Sequence, residues 1–419
     1  MRIVVEPSDY VIRNTGDTAM LQIALERLAQ LFPSGRIQVF TDDPACFPFR
    51  FPNVEPISTE GRRQWFDLLR TASIDQTLPA GRPISGRVAR WLLRRRPSVA
   101  LGMFERQGVI QPAEHRAIGA FLSAVCEADL LLVTGMGGVT DAFPDYAEEL
   151  LEVVRLGQAR GVRTAVLGQG IGPLEDARLR QLARVVLGQL DFIALREFRA
   201  GRPLCLALGV PVERILVTGD DAIELALRHQ VPGPASGIGI NMRAATYADV
   251  ERDMLEPVRR AIQEAARRWN APLVPIPISR VPGEEDAVTI RALLAGLDDD
   301  CDGGVALDTP KMLVEELSRC RVLVTGSYHA GVFALATGVP VVALVRSRYY
   351  EDKFHGLAAM FGVGCHVLRV DDSHLEQRLS EAMAVLWDST DQLRSVLVAA
   401  AKRQVADSQA AFRRLTLIA

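Results

Sequence analysis

The sequence predicts an α/β protein made of two Rossmann-like domains that face one cleft. Three observations predict it. Apolar runs that stop at a small, polar turn recur along the chain, and the letters Leu-Val-Thr-Gly end such runs at Leu132, Leu216 and Leu323. Helical patterns alternate with these runs, the rhythm of parallel sheets covered on both faces. A Pro/Gly-rich linker from Val231 to Gly237 separates two such series. The expected bounds are a first domain at 1–232 with an irregular basic insertion near 60–115, and a second at 233–390. A terminal helix at 391–419 is expected to pack back on the first domain.

Taken in order, Arg2 to Glu6 is a first strand, followed by Asn14-Thr15-Gly16-Asp17-Thr18 and a helical pattern through Met20, Ile23, Ala24 and Leu28. Asp17 or Thr18 suits the N-cap of that helix; alternatively Asn14, Gly16 and Asp17 form a ligand loop. Arg36 to Phe40 is a second strand. In the insertion, Arg82, Arg87, Arg90, Arg94, Arg95 and Arg96 surround Trp91 and Leu92. Such a segment rests on an anionic membrane surface or is a solvated helix face packed by Trp91 and Leu92, and the second reading is favoured.

The rhythm resumes at Asp129–Val133, which exits into the glycine-rich Gly135-Met136-Gly137-Gly138 and Asp141. Neither a dinucleotide fingerprint in context nor a Walker motif is present. Thr164–Leu167 leads to Gly168-Gln169-Gly170-Ile171-Gly172-Pro173, Asp191–Leu195 to Arg196-Glu197, and Ile215–Val217 to Thr218-Gly219-Asp220. The second series opens with Ile238–Arg243, and Pro272–Pro277 and Gly304–Leu307 read as further strands. Arg321 to Ala336 is the most informative stretch: a buried strand, a small-residue turn at Gly326-Ser327, and a helix from about His329. Ser327, Tyr328 and His329 thus sit at a strand's carboxyl end and a helix's positive end, where anionic ligands bind in open α/β sheets. A histidine there can equally cap the helix or hydrogen-bond in the core.

Of 419 residues, 48% are hydrophobic and 24% charged, an ordinary globular balance, and a net charge of −3 makes no case for a nucleic-acid partner. The start lacks a signal peptide and no apolar run nears the ~20 residues that span a bilayer, so the cytoplasm is the expected location. Six scattered cysteines and six histidines show no metal-ligand spacing, and no metal is proposed.

Together these motifs resemble the polysaccharide pyruvyl transferase family over nearly the whole length. The matching pieces are Asn14-Thr15-Gly16-Asp17, Gly137-Gly138 with Asp141, Gly168 to Pro173, Leu195-Arg196-Glu197, Thr218-Gly219-Asp220, Asn241-Met242-Arg243, the strand–His329–helix unit, and Tyr350 with Lys353. The resemblance implies a fold similar to the GT-B glycosyltransferase architecture. It also implies transfer of the enolpyruvyl group of phosphoenolpyruvate, as co-substrate and without a cofactor, to a sugar or lipid-linked glycan, forming a pyruvate ketal. Work at the inner face of the membrane, with peripheral membrane contact, would follow. On this reading His329 and Asp17 are the catalytic candidates. Arg196, Arg243, Ser327, Tyr328 and Lys353 are donor-binding candidates, while Asn14, Gly16, Gly137, Gly138, Asp141, Gln169, Gly170 and Asp220 serve the acceptor or its loops. The chain departs from the family at Ser327, where an Arg is usual. Either Arg196, Arg243, Arg346 or Arg348 takes over, or the donor differs. The alternatives are a GT-B-like glycosyltransferase using a nucleotide-sugar and a non-catalytic family member.

Overall fold

The computed structural model describes residues 1–71, 86–243, 252–296 and 301–419. Its strands form two wholly parallel sheets. The first contains β1 (Arg2–Glu6), β2 (Arg36–Thr41), β3 (Glu55–Ser58), β4 (Leu130–Val133), β5 (Arg163–Gln169), β6 (Phe192–Leu195) and β7 (Ile215–Val217), in the order β3-β2-β1-β4-β5-β6-β7. The second contains β8 (Gly237–Asn241), β9 (Leu273–Pro275), β10 (Cys320–Thr325), β11 (Val341–Val345) and β12 (Cys365–Arg369), in the order β12-β11-β10-β8-β9. The first order extends the doubly wound dinucleotide-fold topology and the second is the flavodoxin-like one. Each has one switch point, between β1 and β4 and between β8 and β10.

Local chemistry explains the central strands. Leu130, Leu131, Leu132 and Val133 in β4, and Val322, Leu323 and Val324 in β10, are buried on both faces by flanking helices. The edge strands differ. β3 carries Pro56, and β12 buries none of its five residues fully, so neither presents an apolar run to read. Gly304–Leu307, expected as a strand, is a turn: Gly303 and Gly304 both have positive φ, and Leu307 N–H donates to Gly304 O at 2.9 Å.

The insertion is helical rather than irregular. Helices span Glu60–Thr71, Gly86–Arg95, Pro97–Arg106 and Pro112–Cys126, and they bury Trp65, Phe66, Leu93, Leu101, Phe104 and Phe121 in one cluster. Arg82 and the side chains of Arg87 and Arg90 lie outside the described residues. Arg94 pairs with Glu152 at 2.9 Å, while Trp91 is 57% exposed. Among the described residues no helix is long and apolar enough to cross a membrane.

The terminal helix starts earlier than expected, at Leu375, and runs 40 residues to Arg414, about 60 Å at 1.5 Å per residue. Leu379, Met383 and Leu386 pack in the core around the second sheet, whereas Ala411, Phe412 and Leu415 join that of the first. Near its far end Ser408 and the Phe412 ring meet Arg27, which also bonds Asp221 at 3.2 Å and Glu224. The Thr15–Leu31 helix bridges in the other direction, burying Ala19, Met20 and Ile23 with the second sheet's core.

Candidate active site

Both switch points open into one small cavity of about 120 Å³. Its walls come from the loops after β1, β4, β6, β8 and β10 and from the Arg348–Phe361 helix: Asn14, Asp17, Met136, Gly137, Phe143, Arg196, Arg243, Ser327, Tyr328, His329, Tyr349, Tyr350 and Lys353. Two grooves of about 650 and 540 Å³ lie on the outer surface of the first domain, against the Pro144–Gln158 and Ala177–Leu187 helices. Charges there pair with each other, as Arg155 does with Glu152 at 2.5 Å, and neither switch point opens into them. The small cavity is where the sheet ends and ionisable groups converge.

Each wall residue is held by its strand or helix. Asn14, not Asp17 or Thr18, caps the Thr15–Leu31 helix: its side-chain oxygen accepts from Gly16 N at 3.0 Å and Asp17 N at 3.3 Å. That frees the Asp17 carboxyl for the cavity. Gly16 is required by the opposite domain, since a β-carbon there would lie 2.1 Å from Cγ of His329. Gly137 gives way in the same manner, a β-carbon falling 2.6 Å from both Arg196 and Lys353.

Arg196 continues the ladder beyond β6, its N–H donating to Gln169 O at 3.1 Å. Its guanidinium lies 4.1 Å over the Tyr328 ring and 3.7 Å from Asp220 Oδ2 rather than pairing with Glu197. Glu197 instead accepts from the backbone of Arg199, Ala200 and Gly201. Arg243, after β8, is buried and gripped by Asp286 through Nε at 3.0 Å and Nη2 at 3.1 Å. Asp286 also accepts from Asn241, Ile278 N and Ser279 N, which fixes the arginine's direction. Lys353 bonds the Tyr349 hydroxyl, which in turn donates to Gly137 O at 2.9 Å across the domain boundary.

Ser327, buried, precedes the Tyr328–Ala336 helix and adds a short, uncharged hydroxyl side chain to the wall. Of the candidate substitutes, Arg196 and Arg243 reach the cavity, while Arg348 turns outward to Glu175 and Arg346 contacts Met254.

The remaining loop residues divide. Gly170 abuts Arg196 from behind, and Asp220 lies just beyond the wall, 3.7 Å from His329 Nε2. Asp141 binds the backbone of Glu175 and Asp176, and Gly138 packs on Tyr146, so both support the fold away from the cavity. Gln169 is fully buried under Arg196. Sequence patterns gave no sign of Met136, Phe143 or Tyr349 as wall residues. Phe143 and Tyr349 pack edge-on at 5.5 Å and close the cavity between domains.

Enclosure reorders the ionisations. Burial, with help from Asp9, lifts the Asp17 carboxyl to about 7, although Lys353, Arg196 and Arg243 pull against it. Burial lifts Asp220 to about 6 against the pull of Arg196. His329 is driven well below its ordinary value by burial and then by Arg196, Lys353 and Arg243. Lys353 is likewise pushed far down, first by burial and then by Arg196. His329 is therefore neutral near pH 7, and the Asp17 carboxyl titrates close to that pH.

Solved structures with the same architecture include the UDP-GlcNAc 2-epimerase of Neisseria meningitidis bound to UDP-GlcNAc, at TM-score 0.57 and 11% identity over 100% of both chains. The UDP-GlcNAc 2-epimerase of Methanocaldococcus jannaschii follows at 0.56 and 10% identity over 100% of both chains. The glycotransferase of kitacinnamycin gives 0.55 and 11% over 100% of this chain and 98% of the other. Identities this low establish the fold alone, the GT-B type. No curated protein matches the chain. A family model, described as polysaccharide pyruvyl transferase, matches residues 14–348, which takes in every residue of the cavity wall except Tyr349, Tyr350 and Lys353. The chain belongs to the polysaccharide pyruvyl transferase family.

Proposed function

We propose that the protein transfers the enolpyruvyl group of phosphoenolpyruvate to two hydroxyls of a sugar, on a polysaccharide or its lipid-linked precursor, to give a pyruvate ketal and phosphate. One observation carries this reading: Arg196, Arg243 and Lys353 converge, with a protonatable Asp17 and a neutral His329, on a small cavity of about 120 Å³. Three cationic side chains suit a small donor bearing both carboxylate and phosphate. Arg196 and Arg243 substitute for the missing arginine at Ser327.

In this scheme Asp17 delivers its proton to the donor's methylene carbon, leaving an oxocarbenium-like centre at the adjacent carbon. The first sugar hydroxyl bonds to that carbon as its proton passes to His329. The second hydroxyl then displaces phosphate, its O–H proton leaving with the phosphate, which departs between the cations, and the proton on His329 returns to Asp17. General acid–base help of this kind is worth about 10²–10⁴-fold. Burial and Arg196 lower the proton affinity of Lys353, and the anionic donor raises it again.

A nucleotide-sugar glycosyltransferase is the second reading, favoured by the epimerase neighbour bound to UDP-GlcNAc. The cavity's size weighs against it, about 120 Å³ compared with the ~300–1,000 Å³ that larger ligands fill. Titration calorimetry with phosphoenolpyruvate separates the two. Binding with uptake of a proton, and phosphate release when sugars are added, supports pyruvyl transfer. No binding of phosphoenolpyruvate, with release of UDP or GDP from a nucleotide-sugar, selects the second.

The place of work in this scheme is the inner membrane face, supported by the exposed Trp91 beside exposed Arg95 and Arg96. Sedimentation with anionic vesicles that is reversed by salt tests it, and no salt-sensitive sedimentation refutes it.

A further inference from the structure

Asp220 occupies an unusual position between two of the proposed working groups. It is 3% exposed, and its Oδ1 accepts from Ala222 N at 2.9 Å at the start of the Ala222–His229 helix. Its Oδ2 has no hydrogen-bond partner among the described residues, and neither do Nε2 of His329 and Nη2 of Arg196. Oδ2 nevertheless lies 3.7 Å from Arg196 Nη1 and 3.7 Å from His329 Nε2. Both separations exceed a hydrogen bond, and neither leaves room for a bridging water. Buried polar atoms left unmet cost enough that they are rare unless a ligand completes the set.

The other charged groups facing the imidazole are Arg196, Arg243, Lys353 and Asp17. The three cations oppose a proton on the ring. Asp220 is the carboxylate placed at Nε2, so it is the group able to balance one. Nδ1 lies on the side of Gly16, and His329 lines the cavity.

Resting on the pyruvyl-transfer reading above, we propose that Asp220 is a positioning residue switched by the donor. An anion that engages Arg196 draws it from Asp220, and the released carboxylate moves roughly 0.8 Å to accept Nε2–H of His329 at hydrogen-bond length. The ring is then fixed with its lone pair on Nδ1, toward the acceptor hydroxyl. As the hydroxyl oxygen bonds to the donor carbon, its O–H bond breaks and the proton goes to Nδ1, while Asp220 stabilises the imidazolium. Apo sites commonly hold such contacts long until substrate binds. The consequence is an ordered site: the base becomes competent only when the donor is in place.

The test is nitrogen NMR of protein labelled at its histidines, with and without saturating phosphoenolpyruvate, and separately with inorganic phosphate. In the wild type the donor should shift His329 to the Nε2–H tautomer, and phosphate should do so in part. Asp220→Asn keeps an oxygen for Ala222 N but offers an amide N–H to Nε2, which imposes the opposite tautomer. Its kcat should fall about 10²–10⁴-fold with the donor Kd changed less than about threefold. A tautomer insensitive to donor in the wild type overturns the switch, even where the variant fails to fold. An Asp220→Asn protein with wild-type tautomer and kcat overturns the positioning role. If phosphoenolpyruvate does not bind at all, the donor assignment fails separately, and the comparison of wild type with Asp220→Asn in inorganic phosphate still decides whether Asp220 orients His329.

Discussion

Replacing Asp17 by Asn removes one titration and leaves a side chain of nearly the same size. The wild-type carboxyl rises from an ordinary 3.8 to about 7 in the folded protein because enclosure disfavours its charge. A carboxyl raised in this way supports the fold fully below its unfolded value, and that support is lost as pH climbs through the folded value. At about 1.36 kcal/mol for each tenfold change in proton affinity, the charged form costs the folded state on the order of 4 kcal/mol once pH exceeds about 7. Roughly 3 kcal/mol of that falls between about pH 5 and about pH 8. The variant avoids the cost, so its urea-unfolding free energy should exceed that of the wild type at about pH 8, and the gap should close towards about pH 4. Comparing the two proteins cancels the other titrating groups. Wild-type kcat should decline about tenfold per pH unit above about 7 as the acid is lost, and Asp17→Asn should be slower by about 10²–10⁴-fold at every pH. Equal pH dependence of stability in both proteins would refute the elevated carboxyl, and full turnover by the variant would refute its role as acid.

Gly16→Ala places a β-carbon 2.1 Å from the imidazole, so the ring must move; turnover should drop about 10²-fold or more with the fold retained, checked by kinetics beside circular dichroism. Arg27→Met leaves Asp221 charged and buried without its partner and should cost about 3–5 kcal/mol in denaturant unfolding. Adding Asp221→Asn should recover part of that loss, and a strictly additive double variant would contradict the coupling. Arg243→Ala should weaken donor binding in calorimetry and also destabilise the fold through the abandoned Asp286, whereas Arg196→Ala should show the binding loss first.

Much of the site was legible because parallel α/β sheets deliver ligand groups in one place, just past apolar strands. Arg196, Arg243 and His329 each follow such a run, and strand order then brings them together at the two switch points. What stayed hidden had no pattern to betray it. Tyr349 and Phe143 look like ordinary packing aromatics until the domains meet, and Asp220, though named as a loop candidate, reaches His329 across 109 positions of sequence. The N-cap was misplaced because Asn14, Asp17 and Thr18 are all good caps, and only the fold assigns Asn14 to the backbone and Asp17 to the cavity. His329 was read as a proton-transfer candidate from its ordinary pKa alone. Burial, and then three cationic neighbours supplied by distant strands and a helix, lower that pKa, which no local sequence pattern could show.

The shared interior has a bearing on how the chain reaches this state. Ala19, Met20 and Ile23 belong by sequence to the first sheet's opening helix, yet they are buried with Val322, Val332 and Phe333 of the second. Phe412, in the last turn of the long helix, and Leu415, just past its end, complete the first sheet's interior. A ribosome that has released only the first half has therefore made a sheet lacking its final wall and displaying an apolar face meant for residues still to come. Folding is completed late, after Leu415 emerges, and melting should be a single cooperative event in calorimetry rather than two. Cutting the chain at the linker would yield two sticky fragments rather than two independent domains.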